Sequence, residues 1–455
     1  MFTGLVFLPS NMFGTSGIRG HFGETVTAEL GVQLGTAIGA WGADRVVIGR
    51  DPRPSGGALI DALAAGLRQN GVAVIDVGVA ATPTIARAVD WCSADAGVAV
   101  TASHNPATDN GFKCWLPSGK AFGPDDRREL EEHLARAIEP TALDPYREPS
   151  RSAWNGAIEK HVNTLVSSVK ANLDITVVVD IGNGAGQITA RALDELGCRV
   201  HTLNGQPDGR FPGRPSEPTA DNCQALQTLV PALDASLGIA HDGDADRMMA
   251  VDEDGTWIGG DILLAIFATA VAASGDTVAA PVNTSLAVDD ALSSIGASVK
   301  RTRVGDVFVA EETQDPDIVF GGEPSGTWIW PEETLCPDGP LAACKLAELI
   351  ATGAPLSERA TRIPSYPIRR ISIDVTDKPG VMERVTTLVE DRYERIQTLD
   401  GVRVVQDTGW FLIRPSGTEP IVRITAEGRS ADATEALLAE GKSHLEDAIS
   451  LNSTE

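Results

Sequence analysis

The chain has 455 residues, 42% of them hydrophobic, which exceeds one core and implies about three or four domains of ~100–150 residues each. A net charge of −26 and a pI of about 4.6 leave no basic face for a nucleic acid. No run of about 18 apolar residues offers a membrane span.

The acids are spread along the whole chain rather than gathered in a tail, and 8 lysines stand against 29 arginines. That balance fits a surface adapted to a high-salt cytoplasm, where screening shortens self-repulsion and carboxylates keep the surface hydrated. The cysteines, Cys92, Cys114, Cys198, Cys223, Cys336 and Cys344, show no C-x-x-C spacing and are expected as reduced thiols in a cytoplasmic protein. Met1–Ser10 is apolar but short and lacks the charged start of a signal peptide. Met12 directly precedes Phe13-Gly14-Thr15-Ser16-Gly17 and is the expected natural start, with Met1–Asn11 a disordered extension.

In chain order, β-branched apolar runs alternate with helical patterns, and the arrangement repeats three times. Val46–Gly49, Val72–Val77 and Gly97–Thr101 predict strands, with helices at Asp61–Asn70 and Thr84–Asp90. Ile175–Asp180, Arg199–Leu203 and Leu237–His241 predict the strands of a second unit, and Thr277–Val282, Ser298–Val304 and Ile318–Phe320 those of a third. The last part differs. Ile371–Val375, Val402–Val405, Trp410–Ile413 and Ile421–Ala426 predict strands, and Pro379–Tyr393 and Ala431–Ile449 predict helices. The expected fold is therefore three consecutive α/β domains of shared topology, at 1–145, 146–254 and 255–362, and a C-terminal α+β domain at 363–455.

The third strand of each unit runs into a loop of unusual composition. In open α/β sheets ligands sit beyond the carboxyl ends of strands, so three such units could present three loops to one shared cleft. Ser103 follows the first of these strands and precedes Asn105-Pro106, a turn that can expose a hydroxyl. No G-x-S-x-G elbow accompanies it, which leaves an esterase poorly supported. Asp242, Asp244 and Asp246 alternate along the second loop, and on an extended segment their side chains would share one side. Three such carboxylates repel one another unless a cation lies among them, and all-oxygen ligation favours Mg²⁺. Glu323 and Ser325 sit in the glycine-rich third loop, with acceptors that suit sugar hydroxyls. In the last domain Arg414, Ser416, Gly417 and Thr418 combine a planar fork, hydroxyls and exposed backbone N–H groups in a phosphate-type cradle. Arg19, Lys113 and Arg247 are further cations that could meet a phosphate or a transferring proton, and each could equally be an ordinary basic residue. His104 adjoins the serine, but neighbouring side chains usually diverge, so it is not expected to be a base.

These loops in this order, T-A-S-H-N-P, D-G-D-A-D-R, G-E-P-S-G and R-P-S-G-T-E-P, resemble the α-D-phosphohexomutase superfamily. So does the opening segment Phe13–Gly20, and the resemblance runs from Phe13 to about Gly428, closest to archaeal-type members. It implies three α/β domains and a smaller α+β domain similar to TATA-binding-protein-like folds. It implies an isomerase that interconverts hexose 6-phosphate and hexose 1-phosphate through a phosphorylated Ser103 and a bisphosphorylated sugar. By the same resemblance one Mg²⁺ would lie at Asp242, Asp244, Asp246 and a Ser103 oxygen, and a hexose bisphosphate would act as activator. Arg19 and Lys113 match acid–base positions. The Arg414 loop would hold the phosphate that is not reacting, and Glu323 and Ser325 the sugar hydroxyls.

Two departures stand out. Thr327 replaces the histidine many members carry after G-E-x-S-G, and Ala245 replaces the usual glycine of the metal loop. Glucosamine phosphate is the first expected substrate, with glucose and mannose phosphates the alternative. A Mg²⁺ phosphatase using an aspartate nucleophile and a non-catalytic sugar-phosphate sensor are the competing classes. The expected partners are small hexose phosphates, with no nucleic acid and no membrane, and the protein is expected as a monomer or homodimer.

Overall fold

The computed structural model describes residues 13, 14, 17–136, 150–417 and 420–451. The expected start at Met12, the join at 139–149 and Thr418 lie outside them. The chain forms two compact units, Met1–Leu263 with Ser325–Ala360, and Leu264–Pro324 with Thr361–Glu455.

The first unit holds two sheets. β1 (Ile18–His21), β2 (Arg45–Arg50), β3 (Ala73–Val79), β4 (Ala96–Val100), β5 (Asp109–Trp115) and β6 (Arg151–Ala153) lie in the order β1-β5-β4-β2-β3-β6. β7 (Thr176–Asp180), β8 (Arg199–Leu203), β9 (Leu237–His241), β10 (Met248–Val251) and β11 (Trp257–Ile258) lie in the order β11-β10-β9-β7-β8. Each has the same heart: three parallel strands with the first in sequence at the centre, β4-β2-β3 and β9-β7-β8. Val46, Val47 and Ile48, like Val177, Val178 and Val179, are fully buried, as continuous β-branched runs are when helices cover both faces of a parallel sheet.

In both sheets an antiparallel strand then returns beside the third parallel strand. The chain leaves β4, turns through Ser103 and comes back as β5; it leaves β9, turns through Asp242–Arg247 and comes back as β10. Both loops therefore lie beyond the carboxyl ends of parallel strands. The second sheet continues through the turn at Asp254-Gly255, since Trp257 and Ile258 pair with Val251 and Ala250.

In the second unit β12 (Thr277–Pro281), β13 (Ser298–Thr302) and β14 (Ile318–Glu323) repeat the parallel pattern, with β12 between the others. β15 (Thr327–Ile329) falls in the first unit's share of the chain. The C-terminal sheet is antiparallel throughout: β16 (Ile368–Asp374), β17 (Ile396–Gln397), β18 (Val402–Gln406), β19 (Gly409–Pro415) and β20 (Ile421–Gly428), ordered β16-β20-β19-β18-β17. Its closing helix, Ala431–Ser450, is N-capped by Ser430 and buries Leu437, Leu445 and Ala448 in one cluster with Phe411 and Ile424.

The three α/β repeats and the α+β end are the expected architecture. Among the described residues no helix is long and apolar enough to cross a membrane, and all six cysteines are free.

Candidate active site

Ser103 lies three residues past β4, is 1% exposed and has φ +53. That left-handed backbone costs a non-glycine residue on the order of 1 kcal/mol or more and persists only where the surroundings impose it. Ser103 Oγ donates to Asp242 Oδ2 at 2.6 Å.

Asp242, Asp244 and Asp246 are buried, and one carboxylate oxygen from each lies within 4.8 Å of the others. They do not converge by strand alternation, as the spacing suggested. Six residues must reverse the chain from β9 into antiparallel β10, so the segment is a turn, with Ala245 in a left-handed conformation at φ +57. Alanine strains that turn where glycine would not, yet the three carboxylates still meet.

Asp244 is held from several sides. Thr82, the first residue of the helix Thr82–Trp91, gives its N–H to Asp244 O at 2.9 Å and its Oγ1 to Asp244 Oδ2 at 2.6 Å. Lys113 Nζ donates to Asp244 Oδ2 at 2.8 Å and also to Asp246 Oδ2. Burial works against the Lys113 charge, but Asp244 and Asp246 outweigh it and hold the ammonium above the usual lysine range. Burial likewise opposes the Asp244 charge, but Lys113 and Thr82 hold its carboxyl below the usual carboxylate range. Burial, then Asp246 and Asp244, push Asp242 well above that range. Asp244 Oδ1 is buried and accepts no hydrogen bond from any described residue. Three converging carboxylates, one with an idle buried oxygen, fit a hard divalent cation with oxygen ligands.

Arg19 on β1 pairs with Gly111 on β5, which puts its side chain on the same sheet face as Lys113 two residues along. Its Nε is buried and has no hydrogen-bond partner among the described residues. Arg247 N donates to Asp242 Oδ1 at 3.2 Å, and Arg247 bridges to Thr327. Met248 N donates to Gly326 O at 2.9 Å, so Ser325-Gly326-Thr327 runs beside the exit of the aspartate loop. Thr327, in the place of the family histidine, is buried there.

His104 corrects an expectation. It does not diverge from the serine; its Nδ1 is 3.4 Å from Ser103 Oγ. Burial, followed by Arg247, Arg19 and Lys113, pushes its pKa down to about 3, which keeps the imidazole neutral.

His241, the last residue of β9, is fully buried, with Nε2 2.8 Å from Thr189 Oγ1 and Nδ1 2.8 Å from Arg247 O. Burial lowers its pKa from 6.5 to about 4. The unfolded chain therefore takes up a proton that the folded one refuses. This stability is fully present above pH 6.5 and is lost as pH falls towards 4, on the order of 3 kcal/mol for this residue. Melting temperature should fall across that window, and more shallowly in His241→Asn; equal slopes would assign the effect elsewhere.

In the second unit Glu323 ends β14 and accepts Gly305 N at 2.8 Å. Arg414 Nε donates to Asp400 Oδ2 at 2.9 Å, and the same oxygen accepts Val304 N at 3.0 Å. Ser416 N donates to Ile421 O at 2.9 Å, Lys378 Nζ donates to Ser416 O at 2.6 Å, and Gly417 faces open space. Arg423 stands directly opposite Arg414 across the β19–β20 pair. Lys378 and Arg423 are cations of this loop that sequence reading missed. Only sheet register and the Lys378 contact bring them there.

Most of the chain has recognisable relatives. Residues 10–141, 154–255 and 259–366 match the phosphoglucomutase/phosphomannomutase α/β/α domains I, II and III, and residues 371–441 match the C-terminal domain. A protein of Methanopyrus kandleri, named a probable phosphoglucosamine mutase, is 44% identical over 92% of this chain and 94% of its own. Proteins with the same name are 45% identical in Methanosarcina acetivorans (92% of this chain, 95% of theirs) and 41% identical in Pyrococcus abyssi (96% and 98%). A crystal structure of a phosphoglucomutase/phosphomannomutase family protein from Burkholderia thailandensis superposes with a TM-score of 0.85 at 28% identity, covering 97% of this chain and 98% of that one. An N-acetylphosphoglucosamine mutase from Aspergillus fumigatus, solved with GlcNAc-6P and magnesium, shares the fold with a TM-score of 0.59 at 16% identity, covering 96% and 95%. The chain belongs to the phosphoglucomutase/phosphomannomutase family, the α-D-phosphohexomutases, and is an isomerase of that family.

Proposed function

We propose that the protein is a phosphoglucosamine mutase in which Ser103 carries the transferring phosphoryl group. The observation that carries this reading is Ser103 Oγ at 2.6 Å from Asp242 Oδ2, at the edge of a buried three-carboxylate cluster suited to Mg²⁺. The shared name of the archaeal relatives supports the choice of sugar.

In the forward step the O–P bond at Ser103 breaks with its electron pair staying on Oγ, a new O–P bond forms at a sugar hydroxyl, and the proton that hydroxyl gives up ends on Ser103 Oγ. The bisphosphorylated sugar then returns its other phosphoryl group to Ser103. One Mg²⁺ held by Asp242, Asp244, Asp246 and a phosphoserine oxygen would neutralise charge on the transferring group. Lys113, kept as an ammonium by Asp244 and Asp246, donates hydrogen bonds and is not placed to remove a proton. Arg19 and Arg247 add positive charge at the same loop, Arg19 at the position matching the family's acid–base group. Ser325 and Glu323 hold sugar hydroxyls, and Arg414, Ser416, Gly417 and Thr418 hold the phosphate that is not reacting. A hexose bisphosphate primes an unphosphorylated serine. The substrates are cytoplasmic small molecules, and a monomer or homodimer suffices.

The second reading is a bifunctional phosphomannomutase/phosphoglucomutase, which the name of the family itself favours. An assay in high KCl with Mg²⁺ and a trace of hexose bisphosphate compares glucosamine, glucose and mannose 1-phosphates. We expect kcat/KM to favour the amino sugar by ~10-fold or more. Equal or better rates on the neutral sugars select the second reading. Net phosphate release with an intact Ser103→Ala rate would select the phosphatase, and an absence of any turnover the sensor.

A further inference from the structure

The serine loop is buried irregular backbone, and its carbonyl groups must find donors. One residue supplies most of them. Arg53, just past β2, is 0% exposed, and every N–H of its guanidinium is engaged. Nη2 donates to Ser103 O at 2.8 Å and Asn105 O at 2.7 Å; Nη1 donates to Asp109 O at 2.9 Å and to Pro106 O; Nε donates to Asp51 Oδ2 at 2.9 Å. The other side of the Ser103 residue is held as firmly. Ser103 N donates to Thr101 Oγ1 at 2.9 Å, and that hydroxyl donates to Asp51 Oδ2 at 2.7 Å. Asp51 thus ties the two grips together.

A second layer, from the segment between β8 and β9, closes over the first. The Phe211 ring lies 5.0 Å from the Arg53 guanidinium carbon. Gly209 packs so closely that a Cβ there would lie 2.2 Å from Arg53 Cα. Ser216 Oγ donates to His104 O at 2.7 Å and Asn105 O at 2.9 Å.

We propose that Arg53, acting with Asp51 and Thr101, is a positioning residue for phosphoryl transfer: it fixes both ends of the Ser103 residue in the left-handed conformation that aims Oγ at Asp242. Neither the N–H nor the C=O of Ser103 can swing to relieve φ +53 without losing a buried hydrogen bond. A lysine at position 53 has the charge but three donors on one point, and cannot span these carbonyls. The inference rests on the phosphoserine reading above.

The test uses Thr101→Val, which keeps the side-chain shape and removes the hydroxyl, with Thr101→Ser as the conservative rescue and Arg53→Lys as a second probe. Turnover and KM are measured with glucosamine 1-phosphate, and a single-turnover rate of phosphoryl transfer from hexose bisphosphate to Ser103 is followed by mass spectrometry. We expect kcat and the single-turnover rate of Thr101→Val to fall ~10–100-fold with KM within about twofold of wild type, and Thr101→Ser to recover to within about threefold. Arg53→Lys should lose at least as much where circular dichroism shows a native fold; where it does not fold, Thr101→Val decides. A Thr101→Val enzyme with kcat within about twofold of wild type, a KM that rises in step with the loss, or a Thr101→Ser enzyme as slow as Thr101→Val overturns the inference. A wild-type protein that takes no phosphoryl group on Ser103 instead overturns the phosphoserine reading, and this inference with it.

Discussion

Replacing Ser103 with alanine should lower hexose-phosphate turnover by ~10⁴-fold or more and leave the fold intact. The substitution removes the atom that forms and breaks the bond to phosphorus. Little else changes: alanine bears the left-handed backbone about as poorly as serine, and the structural loss is chiefly the hydrogen bond to Asp242, beside a longer contact with His104 Nδ1. The bond to Asp242 is worth about 1–3 kcal/mol, so the melting temperature should move by only a few degrees. Turnover assays paired with thermal melting check both halves. A Ser103→Ala protein that melts like wild type and still interconverts the phosphates would exclude the serine as carrier.

Asp244→Asn should be nearly as damaging to activity and informative in a different way. The amide keeps the shape of the carboxylate but not its charge: its one oxygen can still accept from Thr82 Oγ1 and Lys113 Nζ, which both meet Oδ2, while its nitrogen takes the place of the idle Oδ1 and cannot ligate a cation. Lys113 keeps Asp246 as a partner, so the buried ammonium is weakened rather than abandoned, at about 3 kcal/mol or less. Turnover should fall ~10²–10³-fold. In the wild type, Mg²⁺ at ~100 times its Kd should add about 2.7 kcal/mol of stability, and in Asp244→Asn most of that gain should vanish. Melting each protein with and without MgCl₂ makes the comparison; an equal shift in both would place the metal elsewhere.

Much of this was legible in the sequence because the chemistry sits at strand ends. Arg199–Leu203 and Leu237–His241 were read with their observed bounds, since a β-branched run between polar turns has few other conformations open to it. The Ala28–Ala40 helix was passed over, although Thr27 caps it by accepting Leu30 N, a start signal that the sequence does carry. The aspartates converge as expected, but not by the expected geometry. Alternation implied a strand, and the short reversal between β9 and β10 demanded a turn. The proximity of His104 to Ser103 was missed because the left-handed serine redirects its neighbour, and no local pattern announces a positive φ at serine. Arg53, Thr82 and Lys378 carry no motif of their own. Their partners lie 50, 162 and 38 residues away, and only the folded chain joins them.

The most direct test of the central claim is the phosphorylation state of Ser103. The purified protein is incubated with Mg²⁺ and a hexose 1,6-bisphosphate, its intact mass is measured, and its peptides are mapped. The account predicts one added phosphoryl group, located on Ser103, that disappears as bisphosphate is regenerated when glucosamine 6-phosphate is supplied. A protein that stays unphosphorylated while interconverting the sugars, or that carries the group on an aspartate, would contradict it.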